Sequence, residues 1–268
     1  MREKSALLRD IKLFVLDLDG TFYLGDRILP GSMRFIERVR ETGRGFLFFT
    51  NNSSKTAARH LEKLGAMGLE LTREDIVTSG DVTIDYVKQN HAGASVYLMG
   101  NEALREDFLS AGIRLIGGSG TREQPDVVVA AFDTELTYEK LERACTYIRN
   151  GAVFLATHED INYPTGDGFI PDCGSFCAAI SLSTGKKPKY LGKPHAETVE
   201  KVLKMTGLKP EDIAFTGDRL YTDVAAGVLN GAAGFLVLSG ETKEEDVAMS
   251  PVRPDAVFND LGEIADLL

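Results

Sequence analysis

Two aspartates, in Asp17-Leu18-Asp19-Gly20-Thr21, stand directly after an apolar run at residues 11–16 (IKLFVL). Carboxylates two residues apart in a turn can serve one ligand in different roles. One binds a cation or attacks an electrophile, while the other moves a proton. Gly20 lets the backbone turn sharply and a ligand approach closely. An ordinary Asp-Gly turn would account for this motif if it stood alone. Three more polar clusters follow apolar runs, however. Thr50-Asn51-Asn52-Ser53 offers a hydroxyl, amides and backbone N–H groups at a helix start, which suits an anion. Gly192-Lys193-Pro194 places a point cation where it can meet a phosphoryl oxygen. Gly217-Asp218-Arg219-Leu220-Tyr221-Thr222-Asp223 adds two carboxylates. A single polar residue at a strand end is usually just solvated, but four clusters at four strand ends are not explained that way. Asp17, Asp19 and Asp218 together make a hard oxygen cage without His or Cys, the donor set of Mg²⁺. Such a cation, with Lys193, would invert a local field that otherwise repels a phosphate dianion.

Residues in this arrangement need a parallel sheet, because ligands of open α/β sheets bind beyond the carboxyl ends of the strands. The sequence supplies one. Residues 11–16 and 46–49 read as strands buried on both faces. Between them a helix starts at Pro30-Gly31-Ser32, repeats apolar residues at Met33, Ile36 and Val39, and stops at Gly43. A second helix spans 55–68. From about residue 81 the alternation restarts, with strands expected at 95–99, 127–132 and 153–156. Helices are expected at 103–111, 138–150 and roughly 175–184. The Gly-, Pro- and Asp-rich stretch 158–175 reads as a loop, and 183–189 (STGKKPK) as a linker. Then come a helix over 196–206, a strand at 213–216, a helix over 222–230, a strand at 235–238 and a helix from Leu261. Strand-helix alternation of this kind is the grammar of an α/β fold.

Composition narrows the function classes. The chain has 268 residues, 40 acidic against 30 basic side chains and a net charge of −10, with a pI near 5.0. That balance excludes a protein that tracks phosphates with clustered Lys and Arg. Cys145, Cys173 and Cys177 are too few for a disulfide framework and lack a second Cys/His pair for zinc, so they read as small buried thiols. The charged start MREKSALLRD predicts no secretory leader, and no run approaches the ~20 apolar residues of a membrane span. A soluble, cytoplasmic protein is expected. Neither G-x-G-x-x-G nor G-x-x-x-x-G-K-[ST] is present, which removes the nucleotide oxidoreductase and NTPase readings.

The four ordered motifs resemble those of the haloacid dehalogenase (HAD) superfamily. The chain is most similar to its NagD-like, p-nitrophenylphosphatase branch, including residues 138–150 (YEKLERACTYIRN) and 156–160 (ATHED). The resemblance implies a Rossmann-like parallel-sheet core in residues 1–80 and 188–268, with an inserted α/β cap domain at 81–187. It implies a Mg²⁺-dependent phosphatase acting on small phosphomonoesters. Asp17 would be the nucleophile that forms an aspartyl-phosphate and Asp19 the general acid/base. Thr50, with the Asn51 and Asn52 backbone, would hold the phosphoryl group, and Lys193 would neutralise it. Mg²⁺ would sit on the Asp17 carboxylate, the Asp19 main-chain carbonyl and Asp218, with Asp223 one layer further out or bound through water. The cap loop would choose the substrate, through Tyr163, Asp172, Cys173, Gly174 and Ser175. Some relatives carry a His just before the cap-loop proline where this chain has Tyr163, so no substrate preference is borrowed from them.

Plainer readings cover the remaining polar residues. His60 and His91 are expected at the surface, His195 at a helix start, and Arg219 as an orienting residue for neighbouring carboxylates. The expected partner is a small phosphorylated metabolite, with no nucleic acid and no membrane, and a homodimer through the cap is the assembly to test. A phosphotransferase or mutase would have to protect its aspartyl-phosphate from water. A phospho-accepting signalling module needs only about 120 residues and no cap. A silent binding protein would have lost a motif carboxylate, and here all are present.

Overall fold

The structure, a computed structural model, describes residues 4–117, 123–165 and 168–268. It forms two compact units. The first holds residues 1–50, 61–77 and 193–268, and the second residues 51–60 and 78–192. Each has its own sheet.

The six-stranded sheet of the first unit runs in the order Ala256–Phe258, Ala233–Val237, Ile213–Gly217, Leu13–Leu16, Gly45–Thr50, Ile76–Thr78. The four pairings from Gly45–Thr50 to Ala256–Phe258 are parallel. Leu13–Leu16 is buried at every position, as a strand covered on both faces must be. Helix Ser32–Glu41 lays Phe35, Ile36 and Val39 inward, and Phe35 meets Phe14 edge to face at 5.2 Å. Full burial of each such side chain stabilises by roughly 1.5–3 kcal/mol. The chain order reverses between Leu13–Leu16 and Ile213–Gly217, so the crevice at their carboxyl ends is the switch point. Register does the positioning. Leu16 pairs with Thr216 and Asp17 N–H bonds the Thr216 carbonyl at 2.9 Å. Asp17 and Asp218 therefore leave adjacent strand ends, while Leu16 pairs on its other side with Phe48, two residues before Thr50.

The second unit has a five-stranded, all-parallel sheet in the order Lys189–Tyr190, Val153–Ala156, Val127–Ala130, Ser95–Met99, Arg114–Leu115. Helices Tyr138–Arg149 and Cys173–Thr184 cover it. Their shared core takes Tyr97, Val128, Ile148, Phe154 and Ile180 together with all three cysteines, which are buried and free. Among the described residues, no helix is long and apolar enough to cross a membrane.

Three expectations need correcting. Residues 158–175 are not a plain loop: Asn162–Thr165 pairs antiparallel with Gly168–Pro171, and a helix begins at Cys173; residues 166 and 167 lie outside the described residues. Pro164 and Pro171 sit in an isolated two-strand ribbon, where a missing N–H costs little. The helix expected over 222–230 is a wide turn at Leu220–Val224 followed by Ala225–Val228. Arg219 O accepts from both Asp223 and Val224 N–H groups, a widening common at functional sites. His60 is not at the surface. It lies in helix Ala57–Ala66 one turn after Ala57, and both are buried.

Candidate active site

The first unit gathers its chemistry at the switch point. Lys193 is about 3% exposed at its side chain, and Nζ donates to Asp17 Oδ1 at 2.6 Å and Asp223 Oδ1 at 2.6 Å. Its third donor reaches the Phe49 carbonyl at 3.0 Å. The ammonium is thus fully committed, to two carboxylates and one strand end. Asp223 is aimed by its turn, since Oδ2 accepts the Arg219 backbone N–H at 3.1 Å. Gly217 must lack a side chain, because a Cβ there would fall 2.2 Å from the Asp223 carboxyl carbon. Asp17, Asp218 and Asp223 each offer an oxygen within 4.8 Å of the others. Asp19 is half-buried in the turn that leads from Asp17 to Tyr23, and Thr50 is buried at the end of its strand.

Charge at this site is unbalanced. Burial pushes the Asp17 carboxyl well above its usual range, and the Asp223 and Asp218 charges add to that against Lys193. Burial and the Asp223 charge push Asp218 up to about 6. Burial would lower Lys193, but the Asp17 and Asp223 carboxylates more than offset it and hold it above the ordinary lysine range. Three carboxylates facing one ammonium leave an excess of buried negative charge, which a hard cation would neutralise. The donor set fits: oxygen only, at adjacent strand ends.

In the second unit a buried polar network surrounds residues 51–53. Asn51 Nδ2 donates to Asp160 Oδ1 at 3.2 Å, and Ser79 Oγ donates to the Asn51 carbonyl at 2.5 Å. Ser53 Oγ accepts from Phe132 N–H at 3.0 Å and shares a bond with Thr157 Oγ1 at 3.1 Å. Thr157 Oγ1 lies 2.9 Å from His158 Nδ1, and His158 Nε2 lies 2.9 Å from Asp172 Oδ1. Asn52 Oδ1 accepts from Ser54 N–H at 2.9 Å. Asp172 also caps helix Cys173–Thr184. Gly174 packs where a Cβ would fall 2.2 Å from the Glu159 carbonyl oxygen, and Ser175 Oγ donates to Ile161 O at 2.6 Å. Tyr163 packs against Phe132 at a tilt of 41° with ring centroids 5.3 Å apart, while Ile161 (64%) and Phe169 (70%) are exposed.

Comparison with known proteins bears on both units. Residues 14–114 match the family described as haloacid dehalogenase-like hydrolase, and residues 190–264 match a related HAD-hydrolase-like family. An acid sugar phosphatase of Staphylococcus aureus (strain MRSA252) is 36% identical over 261 residues, which is 97% of this chain and 99% of that protein. The chain belongs to the haloacid dehalogenase-like hydrolase family. Among solved structures, a 4-nitrophenylphosphatase from Thermotoga maritima is 43% identical, with a TM-score of 0.92 over 97% of this chain and 98% of that one. NagD from E. coli K-12 is 29% identical, with a TM-score of 0.86 over 96% and 99%. These likenesses place this HAD protein in the NagD-like, p-nitrophenylphosphatase branch, a phosphatase-type hydrolase with an α/β core.

Of the residues singled out from sequence, the HAD core unit holds Asp17, Asp19, Thr50, Lys193, Asp218 and Asp223. The second unit holds Asn51, Asn52, Tyr163, Asp172, Cys173, Gly174 and Ser175. The carboxylate group contains Asp223 beside Asp17 and Asp218; Asp19, expected to act at a metal through its carbonyl, adds no carboxylate to it. His195 stands at the N-cap position of helix Ala196–Thr206, and its side chain does not cap the helix. Arg219 orients Asp223 through its backbone, while its side chain pairs with Glu241 at 2.8 Å.

His158 was missed. It follows strand Val153–Ala156 as closely as the four motifs follow theirs, and that rule would have found it. Burial pulls the His158 pKa down, but the Asp172 charge and hydrogen bond outweigh it and push the imidazole up to about 9 from its ordinary 6.5. A raised cationic pKa stabilises the fold in full below about 6.5 and loses that contribution as pH climbs towards 9. The gap is worth on the order of 3 kcal/mol. Urea unfolding at pH 6.5 and pH 10 should show this loss, and His158→Gln should flatten it. An unaltered pH slope in the variant would mean His158 is neutral in the folded protein.

Proposed function

We propose that this HAD protein hydrolyses small phosphomonoesters, of the sugar phosphate or p-nitrophenyl phosphate type, with Mg²⁺ and through an aspartyl-phosphate. The observation that carries this reading is Lys193 clasped between Asp17 and Asp223 beside Asp218. Relatives named acid sugar phosphatase and 4-nitrophenylphosphatase support the substrate class.

An oxygen of Asp17 attacks phosphorus, and the bond from phosphorus to the ester oxygen breaks. Asp19, as a carboxylic acid, gives its proton to that departing oxygen. Asp19, now a carboxylate, takes a proton from water as the water oxygen attacks the acyl phosphate. The second P–O bond breaks, which frees inorganic phosphate and restores Asp17. Lys193 holds Asp17 in place and neutralises the transferring group, as phosphoryl transfer chiefly requires. The Thr50 hydroxyl and the Asn51 and Asn52 backbone hold the phosphoryl oxygens. Asp17, the Asp19 carbonyl and Asp218 would hold Mg²⁺, with Asp223 behind them. Bound there, Mg²⁺ supplies charge neutralisation for the phosphoryl oxygens and the attacking carboxylate.

Phosphate release would be measured over sugar phosphates, nucleotides, pyridoxal phosphate and p-nitrophenyl phosphate. Activity should vanish in EDTA, return with Mg²⁺ and fail to return with Ca²⁺, whose larger and looser coordination would misalign the attacking Asp17 carboxylate. Full turnover in metal-free buffer would discard the carboxylate cage. Within the second unit, hairpin residues Tyr163 and Phe169 are proposed to select the leaving group. Phe169→Ala should then reorder kcat/KM among substrates without changing the Mg²⁺ requirement; an equal fall on every substrate would refute that role.

A further inference from the structure

None of the four motifs includes residues 239–242, which follow strand Ala233–Val237 in the first unit. Yet every described hydrogen bond that shapes Asp218, apart from a long one at 3.4 Å from Thr21 Oγ1 to Oδ1, comes from this loop. Glu241 N–H donates to Asp218 Oδ2 at 2.7 Å, and Thr242 N–H donates to the Asp218 carbonyl at 3.2 Å. Ser239 Oγ donates to the Gly20 carbonyl at 2.8 Å, in the turn that carries Asp17 and Asp19. The fit is tight. A Cβ on Gly240 would fall 2.0 Å from Asp218 Oδ2, and one on Gly20 would fall 2.4 Å from the same oxygen. The loop is itself tied down, since the Glu241 carboxylate takes Arg219 Nε at 2.8 Å and Tyr221 OH at 3.0 Å.

We infer that Ser239, Gly240 and the Glu241 backbone are positioning residues that turn Asp218 Oδ2 into the loop and leave Oδ1 as the oxygen offered to the divalent cation. This rests on the proposed metal-dependent reading. Oδ2 is spent on a strong N–H bond between two glycines, whereas among the described residues Oδ1 takes only the distant Thr21 hydroxyl. A methyl at Gly240 would expel Oδ2 from its slot and rotate the carboxylate. Groups that orient a metal ligand in this way typically change metal affinity 10–100-fold.

Mg²⁺ binding to the full-length, metal-stripped protein would be measured by calorimetry, with Mn²⁺ binding by electron paramagnetic resonance as a second readout. Gly240→Ala should weaken Mg²⁺ binding at least about tenfold. Saturating Mg²⁺ should restore most of kcat, with KM for p-nitrophenyl phosphate little changed. Ser239→Ala, which removes one hydroxyl and no packing, should weaken Mg²⁺ binding by about tenfold, the lower end of that range. It decides the matter if Gly240→Ala loses its cooperative thermal transition. Wild-type Mg²⁺ affinity in Ser239→Ala and in a folded Gly240→Ala would overturn the inference. Absence of Mg²⁺ and Mn²⁺ binding to the wild-type chain would instead overturn the metal-dependent reading beneath it.

Discussion

Asp17→Asn should fold normally and lose turnover by more than about 10⁴-fold, because an amide cannot supply the attacking carboxylate. The environment of Asp17 makes a second, opposite expectation possible. Its carboxyl is buried and pushed well above its usual range, first by desolvation and then by the Asp223 and Asp218 charges. Removing that charge relieves repulsion inside a cluster that already holds more anions than cations. Lys193 keeps Asp223 and the Phe49 carbonyl as partners. In EDTA the variant's melting temperature should therefore match or exceed that of the wild type, while at saturating Mg²⁺ its kcat on p-nitrophenyl phosphate is lost. Near-wild-type kcat would dismiss Asp17 as nucleophile. A melting temperature several degrees lower would show that the Asp17–Lys193 bond outweighs the repulsion.

Much of this site is written locally. Strands Leu13–Leu16 and Ile213–Gly217 are buried throughout, so they read as apolar runs, and polar residues just past such runs stand out. Asp17, Thr50, Lys193 and Asp218 are visible on that ground. What joins them is not local. Asp223 reaches Lys193 only because a widened turn replaces the regular helix its sequence suggests. Glu241 reaches Asp218 across the neighbouring strand end through its backbone, which leaves no residue-type signature. The ribbon of Asn162–Thr165 and Gly168–Pro171 hid behind Gly and Pro, which usually mark loops but here occupy an isolated pair of strands free of central-strand constraints. His60 was misplaced because its neighbours in sequence are polar, while its burial follows from the helical spacing to Ala57.

Lys193→Met should be the variant that damages both stability and catalysis. The methionine keeps most of the aliphatic stem but leaves Asp17 and Asp223 facing each other and Asp218 with no ammonium between them. Removing one partner of a buried ion pair typically costs about 3–5 kcal/mol, because the other charge stays buried and uncompensated. The sign with pH follows from the carboxylates. Asp17 and Asp218 have folded pKa values raised above the unfolded range, Asp218 to about 6. Raised carboxyl groups favour the fold at low pH, where they are protonated, and that advantage is lost as pH rises through the folded value. Without Lys193 the carboxylates should hold their protons to higher pH still, so metal-free stability should fall more steeply between pH 5 and pH 7.5 than in the wild type. Melting temperatures in EDTA at those two pH values test this, and Mg²⁺ at pH 7.5 should recover part of the loss. Turnover at saturating Mg²⁺ should remain down by roughly 10²–10³-fold, the usual cost of deleting one preorganised charge aimed at a transition state. A Lys193→Met protein whose melting temperature had the same pH slope as the wild type would show that the ammonium is not what keeps these carboxylates ionised.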